Sequence, residues 1–139
     1  MSIRDLMTKG LAVVTPDDSI QTVARKMATA DVGFIPVCDG DKLCGVVTDR
    51  DLAVRAIAEA KEPSTPVREI MSEEIVYCFD DEAAENVAIK MKEREVRRVL
   101  VVNRSKRLVG VVSLGDLATG QPGQSVDVLE TVSEAPPNK

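Results

Sequence analysis

The sequence contains no histidine and no tryptophan, and aromatic residues make up only 2% of its 139 positions. Without histidine, neither a Ser–His–Asp nor a Cys–His triad can be assembled, and the commonest general base and metal ligand of proteins is missing. The shortage of aromatic rings argues against single-stranded nucleic-acid binding, which depends on base stacking. The core must therefore be built from Val, Leu, Ile, Ala and Met.

Cysteine is also scarce, and Cys38, Cys44 and Cys78 are widely spaced. Three cysteines without a Cys-x-x-Cys pair make a poor disulfide framework and a poor zinc site, so we interpret them as core side chains and expect no metal. The net charge of −5 disfavours a polyanionic partner such as DNA. No apolar run approaches the roughly 18 residues of a membrane span, and the N-terminus lacks a signal-peptide core. We therefore expect a cytoplasmic protein with no membrane partner.

What the chain does contain is an internal repeat. The stretch "GVVTDRDLA" at residues 45–53 recurs as "GVVSLGDLA" at residues 110–118. Sliding the chain against itself by 64 positions also aligns "IRDLMT" at 3–8 with "VREIMS" at 67–72. Repeats of this kind indicate one supersecondary unit that is used twice.

Each repeat predicts the element order β-α-β-β-α. Short runs rich in Val and Ile, at 11–14 and 75–78, are typical of opening strands. An apolar stripe at helical spacing then begins at Ile20 and again at Ala84. Two strands around a polar turn and a final helix complete the unit.

The sequence therefore predicts an α+β fold in which two β-α-β-β-α repeats pack about a pseudo-twofold axis. One unit of roughly 55 residues would bury too little surface to be stable alone. We place the first repeat at 1–62 and the second at 63–120, with Pro63 and Pro66 marking the connection. Residues 121–139, rich in Gly, Pro, Ser and Gln, are expected to form a mobile C-terminal tail.

These motifs, in this order, resemble the CBS domain. "M-T" near the start of a repeat and "G-V-V-T-x-x-D-L" near its end are typical of that family, as is "T-P-D-D-S-I" at 15–20. Two copies look like a stand-alone CBS pair, or Bateman module. The resemblance implies a regulatory module rather than an enzyme. Such pairs often bind AMP, ATP, S-adenosylmethionine or cyclic dinucleotides in the clefts between the two repeats, and many dimerise.

Two repeated pairs, Thr48-x-x-Asp51 and Ser113-x-x-Asp116, each follow a predicted strand and open a helix. One interpretation is a capping box, which stabilises a helix start by about 1 kcal/mol. In the other, the hydroxyl donates to a ligand phosphate at the positive end of the helix, and the carboxylate accepts hydrogen bonds from ribose hydroxyls. The spacing alone favours capping and the resemblance favours ribose binding, and the two roles are partly compatible.

The second repeat carries Arg97 and Arg98 directly before a predicted strand. Basic residues at this place in the family often reach ligand phosphates, so the resemblance implies that role here, with surface ion pairing as the alternative. The first repeat has Gly33 and Phe34 at the matching positions. This difference argues against symmetrical phosphate binding.

Aliphatic side chains of both repeats are candidates for a purine pocket, since purines usually lie between such groups. They are Ile35, Pro36, Val99 and Leu100, which would belong to the core in any case. The charged run Asp49-Arg50-Asp51 has the ligand type for Mg²⁺, but carboxylates in a first helical turn are expected from the helix dipole alone.

These features predict a module that binds one or two adenosyl ligands per chain, with AMP, ADP, ATP and S-adenosylmethionine as candidates and no required cofactor. It would signal to an unknown protein partner in trans. The alternative is a ligand-independent dimeric interaction scaffold with vestigial clefts. An enzyme is disfavoured because no nucleophile–base pair is evident. Nucleic-acid binding through the basic stretch at 90–107 is disfavoured by the acidic total, and strong salt dependence would reveal it.

Overall fold

The computed structural model describes residues 1–120. The first repeat contains α1 (Ile20–Ala30), β1 (Phe34–Asp39), β2 (Lys42–Thr48) and α2 (Asp49–Asp51), which continues as a π-helical segment (Leu52–Ile57). The second repeat contains β3 (Tyr77–Phe79), α3 (Ala84–Arg94), β4 (Arg98–Val102), β5 (Leu108–Ser113) and α4 (Leu114–Thr119). Short 3-10 turns at Ile3–Asp5 and Val67–Glu69 precede the two repeats. The predicted α+β class and two-repeat organisation are confirmed.

The opening strands are shorter than predicted. In the second repeat β3 begins at Tyr77 rather than at residue 75. In the first repeat the expected strand at 11–14 reduces to one parallel bridge between Val14 and Val37. Val14 is the only fully buried residue of those four. Packing against the core therefore holds only Val14 beside β1, and residues 11–13, which are not fully buried, do not extend the strand.

The strands form two separate sheets. In one, β1 and β2 form an antiparallel hairpin around a tight turn in which Gly40 has a φ of +68°. Asp-Gly sequences favour such turns because glycine enters this left-handed region without steric cost. In the other sheet, β4 lies between β3, to which it is parallel, and β5, to which it is antiparallel.

The described residues fold into two compact units, one of residues 12–75 and one of residues 1–11 with 76–120. Each has its own aliphatic core, and the buried stripes of α1 and α3 belong to these cores as predicted. The core of the first unit contains Val14, Ile20, Val23, Met27, Ile35, Val37, Val47, Ala56, Val67 and Ile70. The core of the second contains Ile3, Leu6, Met7, Cys78, Val87, Met91, Val99, Val101 and Val112.

The opening segments, defined as residues 3–8 and 67–72, exchange partners between the repeats. The backbone N–H of Ile3 donates to the carbonyl of Glu82 at 3.0 Å, so the first segment packs on the second repeat. The backbone N–H of Val67 donates to the carbonyl of Asp18 at 2.8 Å, so the second segment packs on the first repeat. The compact units therefore divide the chain differently from the sequence repeats.

Two glycines, one on β2 and one on β5, allow the opening segments to approach these strands closely. A Cβ atom on Gly45 would lie 2.8 Å from the carbonyl oxygen of Ser72, and one on Gly110 would lie 2.7 Å from that of Thr8. In each unit the residue after the glycine forms an antiparallel bridge with the opening segment. The glycine of each "GVV" motif is thus needed for the close approach of two backbone segments of the chain.

The thiols of Cys38 and Cys78 are buried in the protein, and all three cysteines are free. Burial raises the pKa of Cys38 to about 11 and that of Cys78 to about 12. Burial is the largest cause of each increase, and the neighbouring Cys44 and Glu82 contribute to it by disfavouring a second negative charge. Both buried thiols are therefore protonated near neutral pH and act as core side chains, as predicted. The prediction is wrong for Cys44, which is only half-buried because it lies on β2 near the exposed turn.

The expected mobile tail at 121–139 lies outside the described residues. Between residues 1 and 120, no helix has the length and apolar character needed to cross a bilayer.

We predict that Gly45→Ala and Gly110→Ala each lower the free energy of unfolding by about 2 kcal/mol, because the added methyl group presses on a main-chain carbonyl that cannot rotate away. Urea titration followed by circular dichroism measures this. Gly33→Ala is the matched control, since its methyl group would meet only the flexible, exposed Asp49 carboxylate. Equal stability of the three variants would contradict the close-approach argument.

Candidate functional site

The repeated hydroxyl–carboxylate pairs form capping boxes at the ends of β2 and β5. Thr48 Oγ1 accepts a hydrogen bond from the N–H of Asp51 at 3.0 Å, and Asp51 Oδ2 accepts one from the N–H of Thr48 at 2.9 Å. Ser113 and Asp116 repeat this arrangement at 3.0 and 2.9 Å. The capping interpretation is confirmed, and ribose binding by the two carboxylates stays a prediction.

The two capping carboxylates differ in accessibility. The Asp51 side chain is 18% exposed, and its Oδ1 lies 3.8 Å from Nη1 of Arg55. Asp116 is only 1% exposed and Ser113 is also buried. Identical spacing in the sequence therefore produces one carboxylate that reaches solvent and one that lies inside its unit.

Arg97 and Arg98 lie beside the second capping box. Arg98 is opposite Ser113 in the β4–β5 ladder, and the carbonyl of Arg97 accepts a hydrogen bond from the N–H of Leu114 at 2.9 Å. Arg97 is exposed, and Arg98 is half-buried. The structure thus brings the two basic residues, Ser113 and Asp116 to one end of the second unit.

The first unit has the same backbone arrangement with different side chains. Phe34 is opposite Thr48 in the β1–β2 ladder, and the carbonyl of Gly33 accepts a hydrogen bond from the N–H of Asp49 at 2.9 Å. The alignment of Gly33 and Phe34 with the two arginines is confirmed by these contacts. The end of the first unit therefore lacks the two guanidinium groups, and it carries the additional carboxylate of Asp49 where the second unit has Leu114.

The four candidates for a purine pocket are all buried. Ile35 and Val99 belong to the two hydrophobic cores, whereas Pro36 and Leu100 point to the other face of their strands, because successive strand residues alternate. Contact of these side chains with a ligand stays a prediction.

Sequence reasoning missed two charged neighbours of the first capping box. Arg55 approaches Asp51 from four residues further along the helix, a spacing that predicts such a pair. Asp49 packs over Gly33: a Cβ on that glycine would lie 3.1 Å from Asp49 Oδ2. No sequence pattern predicts the contact between Asp49 and Gly33, because these residues lie on different elements. In the described part of the chain, no three Cys, Asp or Glu side chains converge in a metal-binding cluster.

The geometry accords with the outcome of comparison with known proteins. The CBS domain profile matches residues 3–57 and 67–122. The chain belongs to the CBS domain family. It is 40% identical over 120 residues to the CBS domain-containing protein YhcV of Bacillus subtilis (strain 168), covering 86% of this chain and 85% of that protein.

Two solved CBS structures are similar and hold adenosyl ligands. CBSX2 in complex with AMP has a TM-score of 0.74 and 26% identity, over 86% of this chain and 94% of that one. The CBS domain pair of protein MJ0100, in complex with 5′-methylthioadenosine and S-adenosyl-L-methionine, has a TM-score of 0.72 and 28% identity, over 86% and 98% of the two chains. The CBS fold is thus shared with proteins that bind this class of ligand.

The capping geometry yields a stability prediction. We expect Asp116→Ala to lower the free energy of unfolding by about 2 kcal/mol, because it removes a cap and leaves the buried Ser113 N–H without its acceptor. Asp51→Ala is expected to cost about 1 kcal/mol, since water can replace the lost acceptor at this more exposed site.

Chemical denaturation at pH 7 measures both values. Asp49→Ala is the control, because this acid occupies the same helical turn without accepting a capping hydrogen bond. A loss for Asp116→Ala no larger than that of the control would refute the structural role of the second capping box.

Proposed function

We propose that this CBS pair is a regulatory module that binds an adenosyl ligand and transmits its presence to a protein partner in trans, rather than an enzyme. The observation that carries the proposal is the convergence of Arg97, Arg98 and Ser113 at one end of the second unit. Related folds bind AMP, 5′-methylthioadenosine and S-adenosyl-L-methionine, which supports the same ligand class here. A cytoplasmic location is part of this proposal.

The polar residues have complementary roles in the proposal. Arg97 and Arg98 neutralise a 5′-phosphate, because guanidinium groups match phosphate oxygens in charge and geometry. In each repeat the capping hydroxyl, Thr48 or Ser113, lies near the 5′ substituent of that repeat's own ligand, which is the phosphate in the second repeat. Asp51 keeps one carboxylate oxygen outside its cap, and this oxygen accepts hydrogen bonds from ribose hydroxyls once the Arg55 side chain, 47% exposed, swings away.

Asp116 holds the ribose in the second repeat, and binding there requires part of the capped turn of α4 to open. Its carboxylate is buried and caps α4, so a ligand that reaches it must first loosen that turn. The remaining contacts are apolar: Ile35 and Pro36 line the purine in the first repeat, and Val99 and Leu100 line it in the second. AMP, ADP, ATP and S-adenosylmethionine are the candidate ligands.

The capping boxes also favour a second candidate function. Because both aspartates already accept backbone hydrogen bonds, the repeated motif is fully explained without a ligand. The chain would then be a dimeric interaction scaffold whose nucleotide sites are vestigial.

Calorimetry with AMP, ADP, ATP and S-adenosylmethionine separates the two functions. We expect at least one of them to bind, and Asp51→Asn to weaken its binding about tenfold, equivalent to ~1.4 kcal/mol. Asparagine keeps an oxygen for the Thr48 N–H but loses the charge. Asp39→Asn, at the exposed end of β1, is the control. Absence of binding by all four compounds at millimolar concentration would support the scaffold.

We propose further that the chain forms a homodimer through the exposed apolar side chains that follow α2. Ile57 is 73% exposed and Val54 lies one turn before it on the same helix. Burying such groups in an interface is favourable by about 25 cal/mol per Å² of apolar surface.

Sedimentation velocity of Ile57→Glu tests this arrangement. We expect a dimer for the unmodified chain and a monomer for the variant, because a carboxylate is expensive to bury. Ile89→Glu is the control, since Ile89 is also an exposed isoleucine but lies on α3. A monomeric unmodified chain, or dissociation by the control alone, would contradict the proposed interface.

A further inference from the structure

We infer that the two repeats select adenosyl ligands of opposite charge: the second takes a 5′-phosphorylated ligand, whereas the first rejects phosphate and takes one whose 5′ substituent is neutral or cationic. The inference rests on the proposed function and names the ligand class of each site. We define the first half-site as residues 33–34 with 48–51, and the second half-site as residues 97–98 with 113–116.

The two half-sites are equivalent by backbone contacts. The β1–β2 ladder ends with Phe34 opposite Thr48, and the β4–β5 ladder with Arg98 opposite Ser113. The residue before each ladder also makes an equivalent contact. The carbonyl of Gly33 accepts a hydrogen bond from the N–H of Asp49, and the carbonyl of Arg97 accepts one from the N–H of Leu114, both at 2.9 Å. A ligand bound in the same orientation at either half-site would therefore meet equivalent backbone positions.

The summed charge of the side chains at these equivalent positions is opposite in sign. The second half-site has Arg97 and Leu114 where the first has Gly33 and Asp49. A Cβ on Gly33 would lie 3.1 Å from Asp49 Oδ2, so the Asp49 carboxylate lies where the Arg97 side chain begins in the other unit. The first half-site thus has a carboxylate beside the position from which the Arg97 side chain extends in the second, and it has no guanidinium group at that position.

The other charges of the first half-site do not neutralise this carboxylate. Arg55 lies 3.8 Å from Asp51, the adjacent acid of the half-site. Arg50 immediately follows Asp49, and consecutive helical side chains do not face each other. Among residues 1–120 the Asp49 side chain has neither an ion-pair nor a hydrogen-bond partner, and it is exposed.

Charge repulsion then discriminates between ligands by their 5′ substituent. A phosphate placed near Asp49 is opposed by a like charge, and the first half-site offers no guanidinium group at the position of Arg97 to offset it. A sulfonium group, as in S-adenosylmethionine, is attracted by the same carboxylate. In the second half-site Arg97 is exposed and favours the phosphate.

The test exchanges the differing residues one at a time, in the full chain, with calorimetric titration of AMP, adenosine and S-adenosylmethionine. The unmodified chain is expected to bind one AMP, about tenfold more tightly than adenosine. Arg97→Gly is expected to lower the ratio of AMP to adenosine affinity about tenfold, and Arg97→Gln, which keeps side-chain bulk, to do the same. Asp49→Leu is expected to admit a second AMP and to weaken S-adenosylmethionine about fivefold.

The outcomes separate this inference from the proposed function. Absence of binding by all three compounds, and by ADP and ATP as well, would overturn the proposed function and this inference with it. Binding with an unchanged affinity ratio in both Arg97 variants, and an unchanged AMP stoichiometry in Asp49→Leu, would overturn the charge selection alone. Thermal melting of each variant without ligand verifies that it is folded, and Asp49→Asn replaces Asp49→Leu if the latter is not.

Discussion

The fold depends on the close approach of two main chains at Gly45 and Gly110. Because neither residue has a side chain, an opening segment can pair with the strand beside it through backbone hydrogen bonds. Each segment brings apolar residues into the core it joins, as Ile3 and Val67 show. A unit without its borrowed segment would lose both a backbone pairing and part of its core, so neither sequence repeat is complete in isolation.

The capping boxes connect this framework to the candidate site. Each box satisfies the first backbone N–H groups of a helix directly after a strand, and so fixes an aspartate at the end of the sheet. The same carboxylate that stabilises the helix is the group proposed to hold ribose. In that proposal, helix stability and ligand binding depend on the same carboxylates, and the cap at Asp51 positions its group before any ligand arrives.

The repeats keep the backbone pattern but not the surface chemistry. Buried positions are constrained by packing, which tolerates little change in volume or polarity. Exposed positions such as Asp49 and Arg97 face no such constraint, and here they differ in charge. A repeated backbone pattern with different side chains in its two half-sites is the physical basis for proposing two ligand preferences in one chain.

Local sequence determined the repeat, the β-α-β-β-α order and the capping boxes, because helical periodicity and the Ser/Thr-x-x-Asp spacing act over a few residues. Only the tertiary structure decided the exchange of opening segments and the shortening of the strand at 11–14, since both arise from pairing between distant residues. It also decided that Asp116 is buried while Asp51 reaches solvent, and that Asp49 lies over Gly33. Burial depends on what packs around a residue, so it cannot be predicted from two identical local motifs.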